Sequence, residues 1–493
     1  MTSPRPRVAI AVAATVVLLA GALLSSTTFV GDDHLFLAFA RLAPNPLCAF
    51  VRDQHGGEYY RPLPMLVWWL LGRAAPGATW PFATLAATLH AAAAALLASL
   101  LLALGRRRAT ALLAAALFFV APQNLDAASW YAASTDLFAT VFTLGALVAL
   151  ARGARAPVSL ALALAASFSK ESALVLPALA YVVLGAGPTS PPRARRALAV
   201  APCAVATALV LAARTFVLHG WGGSGDERAP LAGKLLQLAS GLVHAGTGAA
   251  VLPEPLAWGL GVAALALVAL AAVRVREARP ALALVALSLV PLLGPGWIVG
   301  ARYFYLPASG LSWAAAEALA ARPAVARVMI LVALVSLSGL QWAVRRREVG
   351  AYEARLRAAR RAVGTGAREG ARVFHVDGGL KDLDLAVKED PALASVASDL
   401  LVLGDVPASF VVMPPSLASR AAFLVASPPL PPSGAYQFGA SRIVGLARRG
   451  DDPTLDEVIA RLPEIRFIRL RPTPGGHVIG RDVTDEVKSA VNE

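Results

Sequence analysis

Apolar residues run in long blocks through the first two-thirds of the chain, and short polar stretches separate the blocks. The clearest blocks are 8–30, 78–104, 197–218, 256–273, 304–321 and 325–344, with shorter ones at 109–121, 137–151, 157–168, 173–184 and 280–293. A lipid-spanning helix needs about 20 apolar residues, because lipid offers no partner to a peptide N–H or C=O. Together the blocks predict an α-helical polytopic membrane protein with about 11 transmembrane helices over residues 1–344 and a first outer loop at 31–77. The stretch 231–252 carries Lys234, Gln237 and His244 among its apolar residues, so it is expected to lie along the outer interface instead of crossing. The basic start followed by 8–30 has the form of a signal peptide. The run is long, however, and Ser25-Ser26-Thr27-Thr28 makes a poor cleavage site, so an uncleaved anchor is expected.

Beyond residue 344 the pattern changes. Residues 345–370 are rich in Arg, Ala and Glu and read as a basic connecting helix. Over 371–493, short β-type runs at 372–376, 409–413, 421–426 and 466–470 alternate with helical stretches such as 454–461, and Pro428, Pro429, Pro431 and Pro432 mark a loop. This predicts a small C-terminal α/β soluble domain without a phosphate loop, metal spacing or nucleophile elbow. No 34-residue helical repeat runs through it.

Composition sharpens the class. Hydrophobic residues make up 57% of the chain and charged residues 15%, where a soluble domain carries about a quarter charged. The net charge of +14 would suggest a nucleic-acid partner if the arginines shared one soluble face. Most of those before residue 345 instead sit in short clusters between apolar runs, so they report topology, and no nucleic acid is expected. Cys48 and Cys203 are the two cysteines, far apart and in different settings, which argues against a disulfide framework or a thiolate metal site.

When the spans simply alternate, the clusters Arg5/Arg7, Arg106–Arg107–Arg108, Arg152/Arg155, Arg193/Arg195/Arg196, Arg274/Arg276/Arg279 and Arg322/Arg327 all fall on one side. The positive-inside rule makes that side cytoplasmic. Asp32, Asp33, Asp53, Glu58, Asp126, Asp136, Glu171, Asp226, Glu227 and Glu254 all fall on the other side, and Glu277 alone sits in an inner loop. A bacterial inner-membrane protein with its N-terminus in the cytoplasm and its C-terminal domain outside is the expectation. Arg345–Arg346–Arg347 run against the rule, following the last span on the outer side.

Five polar constellations land on that outer side: Gly31-Asp32-Asp33-His34, Tyr59-Tyr60-Arg61-Pro62-Leu63, Asn124-Leu125-Asp126 with Asp136, Ser169-Lys170-Glu171, and Arg302-Tyr303-Phe304-Tyr305. Any one alone is ordinary for a helix end, where charged side chains snorkel to the interface. Five together, combining carboxylates with Arg and Lys, suit a site that holds both a proton acceptor and an anion clamp. Adjacent Asp32 and Asp33 repel, so a cation or divalent metal could hold one ionised while the other acts as base. Arg61 and Arg302 suit bidentate phosphate contacts, and Lys170 adds a point charge. A local Lys170–Glu171 ion pair is the plainer reading of that dipeptide. His34, His55, His219 and His244 form no zinc-binding spacing.

The ordered set resembles the GT-C glycosyltransferases. It consists of Asp-Asp-His after the first span, Tyr-Arg-Pro-Leu before the second, Pro122, Asp126 and Trp130, Ser-Lys-Glu, then Arg-Tyr-x-Tyr-Leu-Pro. Within that superfamily it is most similar to bacterial relatives of the transmembrane and tetratricopeptide protein O-mannosyltransferases, over residues 8–345 and without the repeats. The resemblance implies a polyprenyl-phosphate-linked sugar donor in the lipid bilayer and inverting transfer to an extracytoplasmic hydroxyl acceptor. By that similarity Asp32 and Asp33 are the catalytic acids, with Asp32 the base. Arg61, Lys170, Arg302 and Tyr303 would bind the donor phosphate, and His34, Tyr60, Asp126, Asp136 and Glu171 would support them. This chain departs from the family pattern at Ala121 and Asn124, which stand where histidines are usual, at Ser134 where Arg is common, and at Ala301 in place of an acid. A transporter or flippase of an anionic lipid or solute, and a GT-C fold without catalysis that scaffolds an envelope complex, are the competing readings. The first draws on intramembrane charge.

Overall fold

The computed structural model describes residues 29, 33, 36–37, 40, 43–51, 59–187, 191–220, 231–245, 254–293, 301–320, 322–368, 373–376, 410–413, 424–426, 467–472 and 478–482. The described residues are predominantly helical, with apolar helices that fit a membrane protein. Among the described residues, four helices are long and apolar enough to cross a bilayer: Trp80–Ala103, Tyr131–Ala151, Arg193–Leu218 and Ala324–Gly350. A fifth arises if Arg108–Val120 and Pro122–Ser129, bent by 58°, count as one span. Ala156–Ser167, Glu171–Leu184 and Arg279–Leu293 are apolar but shorter. A 12-residue helix rises only about 18 Å, against a hydrocarbon thickness of about 30 Å. Among the described residues, length and composition thus select four spans, or five with the bent pair, and leave the shorter apolar helices below that length. The first block, 8–30, lies almost wholly outside the described residues.

The contacts divide the chain into two units. The first holds Tyr60–Pro64 and Thr79–Arg346. Its centre is the Ser134–Ala151 helix, which packs against Trp80–Ala103 and Ala156–Ser167. Tyr305–Ala320 packs against Arg108–Val120 and Arg279–Leu289. Small side chains make these approaches possible: Ala93, Ala111, Ala139, Ala146, Ala163 and Ala314 are all completely buried. Arg193–Leu218 and Ala324–Gly350 lie at the periphery, with Leu198, Phe216, Val325 and Met329 largely exposed, as lipid-facing positions are.

Local sequence sets the ends of these helices. Pro81, Pro157, Pro177 and Pro280 stand in first turns, where the missing N–H costs nothing. Gly105 and Gly153 adopt φ of 74° and 70°, in the left-handed region. Arg106 N–H and Ala154 N–H then reach back to the Leu101 and Ala149 carbonyls and close both helices before their basic turns.

The alternation brings the basic turns to one end of this unit. There Arg106 Nη2 donates to the Ala186 carbonyl at 3.2 Å and Arg106 pairs with Glu317 at 3.7 Å. Arg196 stacks over Tyr181 at 4.8 Å. Asp136 lies at the opposite end of its helix from Arg152, about 24 Å away at 1.5 Å per residue.

One close helix approach is at Gly310. A Cβ built there would lie 2.7 Å from the Ala281 carbonyl oxygen and 2.8 Å from a Val285 methyl. Backbone cannot yield as a flexible side chain can, so Gly310→Leu is expected to destabilise the helix pair by about 1–3 kcal/mol or more. Thermal unfolding in detergent measures this, and an unchanged midpoint would count against the packing.

The second unit holds Thr27–Tyr59, Met65–Ala78 and Arg347 onward. In it, Trp68 packs edge-on to Phe36 at 5.1 Å and lies 6.3 Å from Phe29. Trp69 Nε1 donates to the Ala43 carbonyl at 2.9 Å, and Arg73 donates to the Ala40 and Ala43 carbonyls. The short helix Cys48–Val51 is preceded by Asn45, whose side-chain oxygen accepts from Leu47 N–H. Toward the C-terminus five strands form one sheet in the order β3-β2-β1-β4-β5: β1 Val373–Val376, β2 Phe410–Met413, β3 Leu424–Ala426, β4 Phe467–Pro472 and β5 Val478–Asp482. β1 pairs in parallel with β2 and β4, while β2–β3 and β4–β5 are antiparallel. The helical stretches expected between these strands lie outside the described residues.

Candidate functional site

Charged residues from five elements of the first unit meet at the end opposite the basic turns. Asp136 lies in the first turn of Ser134–Ala151. Lys170 follows Ala156–Ser167, and Glu171 opens the 3-10 turn Glu171–Val175. Arg61 immediately precedes Pro62–Ala74, and Arg214 lies near the end of Arg193–Leu218. Helix Ala156–Ser167 ends where Leu63 N–H reaches the Phe168 carbonyl at 3.3 Å, and the Tyr60 ring meets Phe168 edge-on. Tyr60 itself is buried with Val210, Val217 and Leu218, which brings Arg61 toward the end of Arg193–Leu218.

Two interlocked ion pairs result. Lys170 Nζ donates to both Asp136 carboxylate oxygens at 2.6 Å, with both side chains almost wholly buried. Glu171 is held from two sides. Its Oε2 accepts from Arg61 Nε and Nη2 at 3.2 and 3.0 Å, and its Oε1 accepts from Arg214 Nη1 at 2.8 Å. The local Lys170–Glu171 pair read from the sequence is therefore not the arrangement found. The backbone turn sends the two side chains to partners 34 and 110 residues away. Such charge-assisted bonds are the strong ones in an apolar setting. Burial pushes the Lys170 ammonium down to about 8, opposed by Asp136 and reinforced by Arg61 and Arg302.

Aromatic rings extend the cluster. Lys170 Nζ lies 4.1 Å from the centre of the Tyr303 ring, and the Arg302 guanidinium lies 4.1 Å from that of Trp130. Arg302 Nη2 also donates to the Tyr303 hydroxyl at 3.4 Å. Both residues sit on the 3-10 turn Ala301–Phe304. One side of that turn is packed by the helix Leu231–Ala245, whose Leu238 joins Leu292, Tyr303 and Phe304 in one buried group. The cluster so defined contains the cations Arg61, Lys170, Arg214 and Arg302 around Asp136 and Glu171.

Of the residues singled out in the sequence, Arg61, Asp136, Lys170, Glu171, Arg302 and Tyr303 thus share one site, with Tyr60 packed beside Arg61. Asp33 is buried, while Asp32 and His34 lie outside the described residues. Asp126 belongs to the helix Pro122–Ser129, and its side chain is likewise outside them. Asn124 is completely buried and donates from Nδ2 to the Phe118 carbonyl at 2.7 Å. Among the described residues no three His, Cys, Asp or Glu side chains converge as metal ligands.

Two residues of the region were not singled out in the sequence. Arg214 interrupts the apolar block 197–218, and His90 interrupts 78–104. An ionisable group inside a spanning segment is itself the signal that would have found both. No family model, curated protein or solved structure matches this chain.

Proposed function

We propose that this protein is a membrane glycosyltransferase that moves a sugar from a polyprenyl-phosphate donor to an extracytoplasmic hydroxyl on a protein, lipid or glycan. The observation that carries the reading is the convergence of Arg61, Lys170, Arg214 and Arg302, with Trp130 and Tyr303, at one end of an apolar helical bundle. A lipid-phosphate donor keeps its tail in the bilayer and its reactive carbon at the boundary, so its enzyme needs cations at that level. The GT-C-like fold with about eleven spans, the small α/β domain at 371–493, and a bacterial inner-membrane location with an outward-facing site belong to this reading.

In the reaction the acceptor oxygen attacks the anomeric carbon as the bond from that carbon to the phosphate oxygen breaks, with inversion. Asp32 takes the acceptor proton, and Asp33 orients the acceptor or helps hold a divalent cation. Arg302 and Lys170 stabilise the departing polyprenyl phosphate. Arg61 adds its charge beside them although it shares Glu171 with Arg214, just as Lys170 is paired with Asp136.

A second reading has one observation in its favour. A buried Lys170–Asp136 pair is also what proton-coupled or ion-coupled transporters place between helices. An in vitro assay in membranes with a panel of polyprenyl-phosphate sugars separates the two. Sugar transfer to a hydroxyl acceptor, with release of polyprenyl phosphate, supports the enzyme. Movement of lipid-linked substrate across proteoliposomes without transfer supports the transporter.

A further inference from the structure

His90 stands in the middle of the apolar helix Trp80–Ala103 and is almost wholly buried. Its Nε2 lies 3.0 Å from the Phe119 carbonyl oxygen, and its Nδ1 lies 2.7 Å from the Tyr305 hydroxyl. A carbonyl can only accept, so Nε2 carries the hydrogen, and in the neutral ring Nδ1 is the acceptor for Tyr305 O–H. The ring is held flat by stacking on Phe119 at 4.8 Å, and Phe118 meets Tyr305 edge-on at 5.2 Å.

Tyr305 is the first residue of the helix Tyr305–Ala320 and directly follows the turn that carries Arg302 and Tyr303. Leu238 and Leu292 pack that turn through Tyr303 and Phe304. Those contacts are apolar and non-directional, whereas the His90–Tyr305 bond is directional and ties the end of the turn to two neighbouring helices. An apolar span that spends a histidine on one tyrosine hydroxyl, three residues from a stacked arginine, has a use for that arginine's position.

We propose that His90 is a positioning residue that acts through the Tyr305 hydroxyl to fix the Ala301–Phe304 turn, and with it the aim of Arg302 and Tyr303 at an anionic ligand. The anionic ligand rests on the function proposed above. The fixing of the turn does not.

The imidazole can be dissected by amides. Asn at position 90 places an acceptor near the Nδ1 position and keeps the bond from Tyr305, while Gln reaches the Nε2 position and keeps the bond to Phe119. In full-length protein in phosphatidylcholine nanodiscs, hydrogen exchange of the 301–305 amides is expected to rise in Tyr305→Phe and His90→Gln and to stay near wild type in His90→Asn. Binding of decaprenyl phosphate should follow the same order, weakened about fivefold by Tyr305→Phe and His90→Gln, the scale of one net hydrogen bond. The double variant His90→Gln/Tyr305→Phe should be no worse than Tyr305→Phe alone. A general structural role predicts instead that Asn and Gln behave alike and that the double variant is additive; either result overturns the proposal. A wild-type protein that ignores decaprenyl phosphate overturns the donor reading, and the exchange measurement then decides the positioning role by itself.

Discussion

Asp136→Ala is expected to destabilise the helical bundle by about 3–5 kcal/mol, because it leaves the Lys170 ammonium buried without its carboxylate. Both Asp136 oxygens accept from Lys170 at 2.6 Å, and neither side chain has more than 5% of its surface exposed. Replacing the pair together, by Asp136→Leu with Lys170→Met, removes both charges at similar volume and should restore most of the lost stability. Donor binding separates the pair's two possible uses. The double variant should fold yet bind polyprenyl phosphate poorly, since Lys170 is gone from beside Tyr303. Unfolding in detergent and binding in nanodiscs measure the two quantities independently. A single Asp136→Ala protein as stable as wild type would mean that the charge pair contributes nothing to the fold.

How these residues meet was only partly legible in the sequence. Span alternation put Arg61, Asp136, Lys170, Glu171 and Arg302 on one side without any knowledge of packing, and these residues meet at one end of the first unit. Partner choice was not legible. Adjacent Lys170 and Glu171 invite a local ion pair, but the turn into Glu171–Val175 separates them, and each finds its partner on another helix. Arg214 and His90 were hidden by their surroundings, since a single polar residue barely alters an apolar block of about 20. The strand runs at 372–376, 409–413 and 466–470 lie where β1, β2 and β4 are found. β5 is not expected from its residues, although Pro474-Gly475-Gly476 just before it is a turn signal. Its run, Val478–Asp482, contains a glycine and two charged residues and so shows no apolar alternation. The segment 231–252, expected along the outer interface, forms a two-sided helix whose Leu235 and Leu236 are exposed. Its helix Leu231–Ala245 turns Leu238 onto Tyr303 and Phe304, and Lys234 is buried.

The largest effect on chemistry is expected at the paired acids Asp32 and Asp33. Asp32→Asn should leave folding and donor binding intact and lower transfer by about 10²–10⁴-fold, the usual contribution of a positioned general base. An amide cannot take the acceptor's proton, and it differs from the carboxylate by little in volume. Asp33→Asn should also slow the reaction, through acceptor orientation or a bound cation. Arg302→Ala should behave differently, raising KM for the donor as well as lowering kcat, because in the proposed reaction its guanidinium meets the phosphate in both ground and transition states. It also removes the guanidinium stacked on the Trp130 ring. The three variants must be compared at matched protein in membranes, with transfer and decaprenyl phosphate binding measured on the same samples. If Asp32→Asn with Asp33→Asn still transfers sugar at near wild-type rate while Arg302→Ala does not, the anion site stands and the base lies elsewhere. If all three transfer normally, the charged cluster is not the catalytic site.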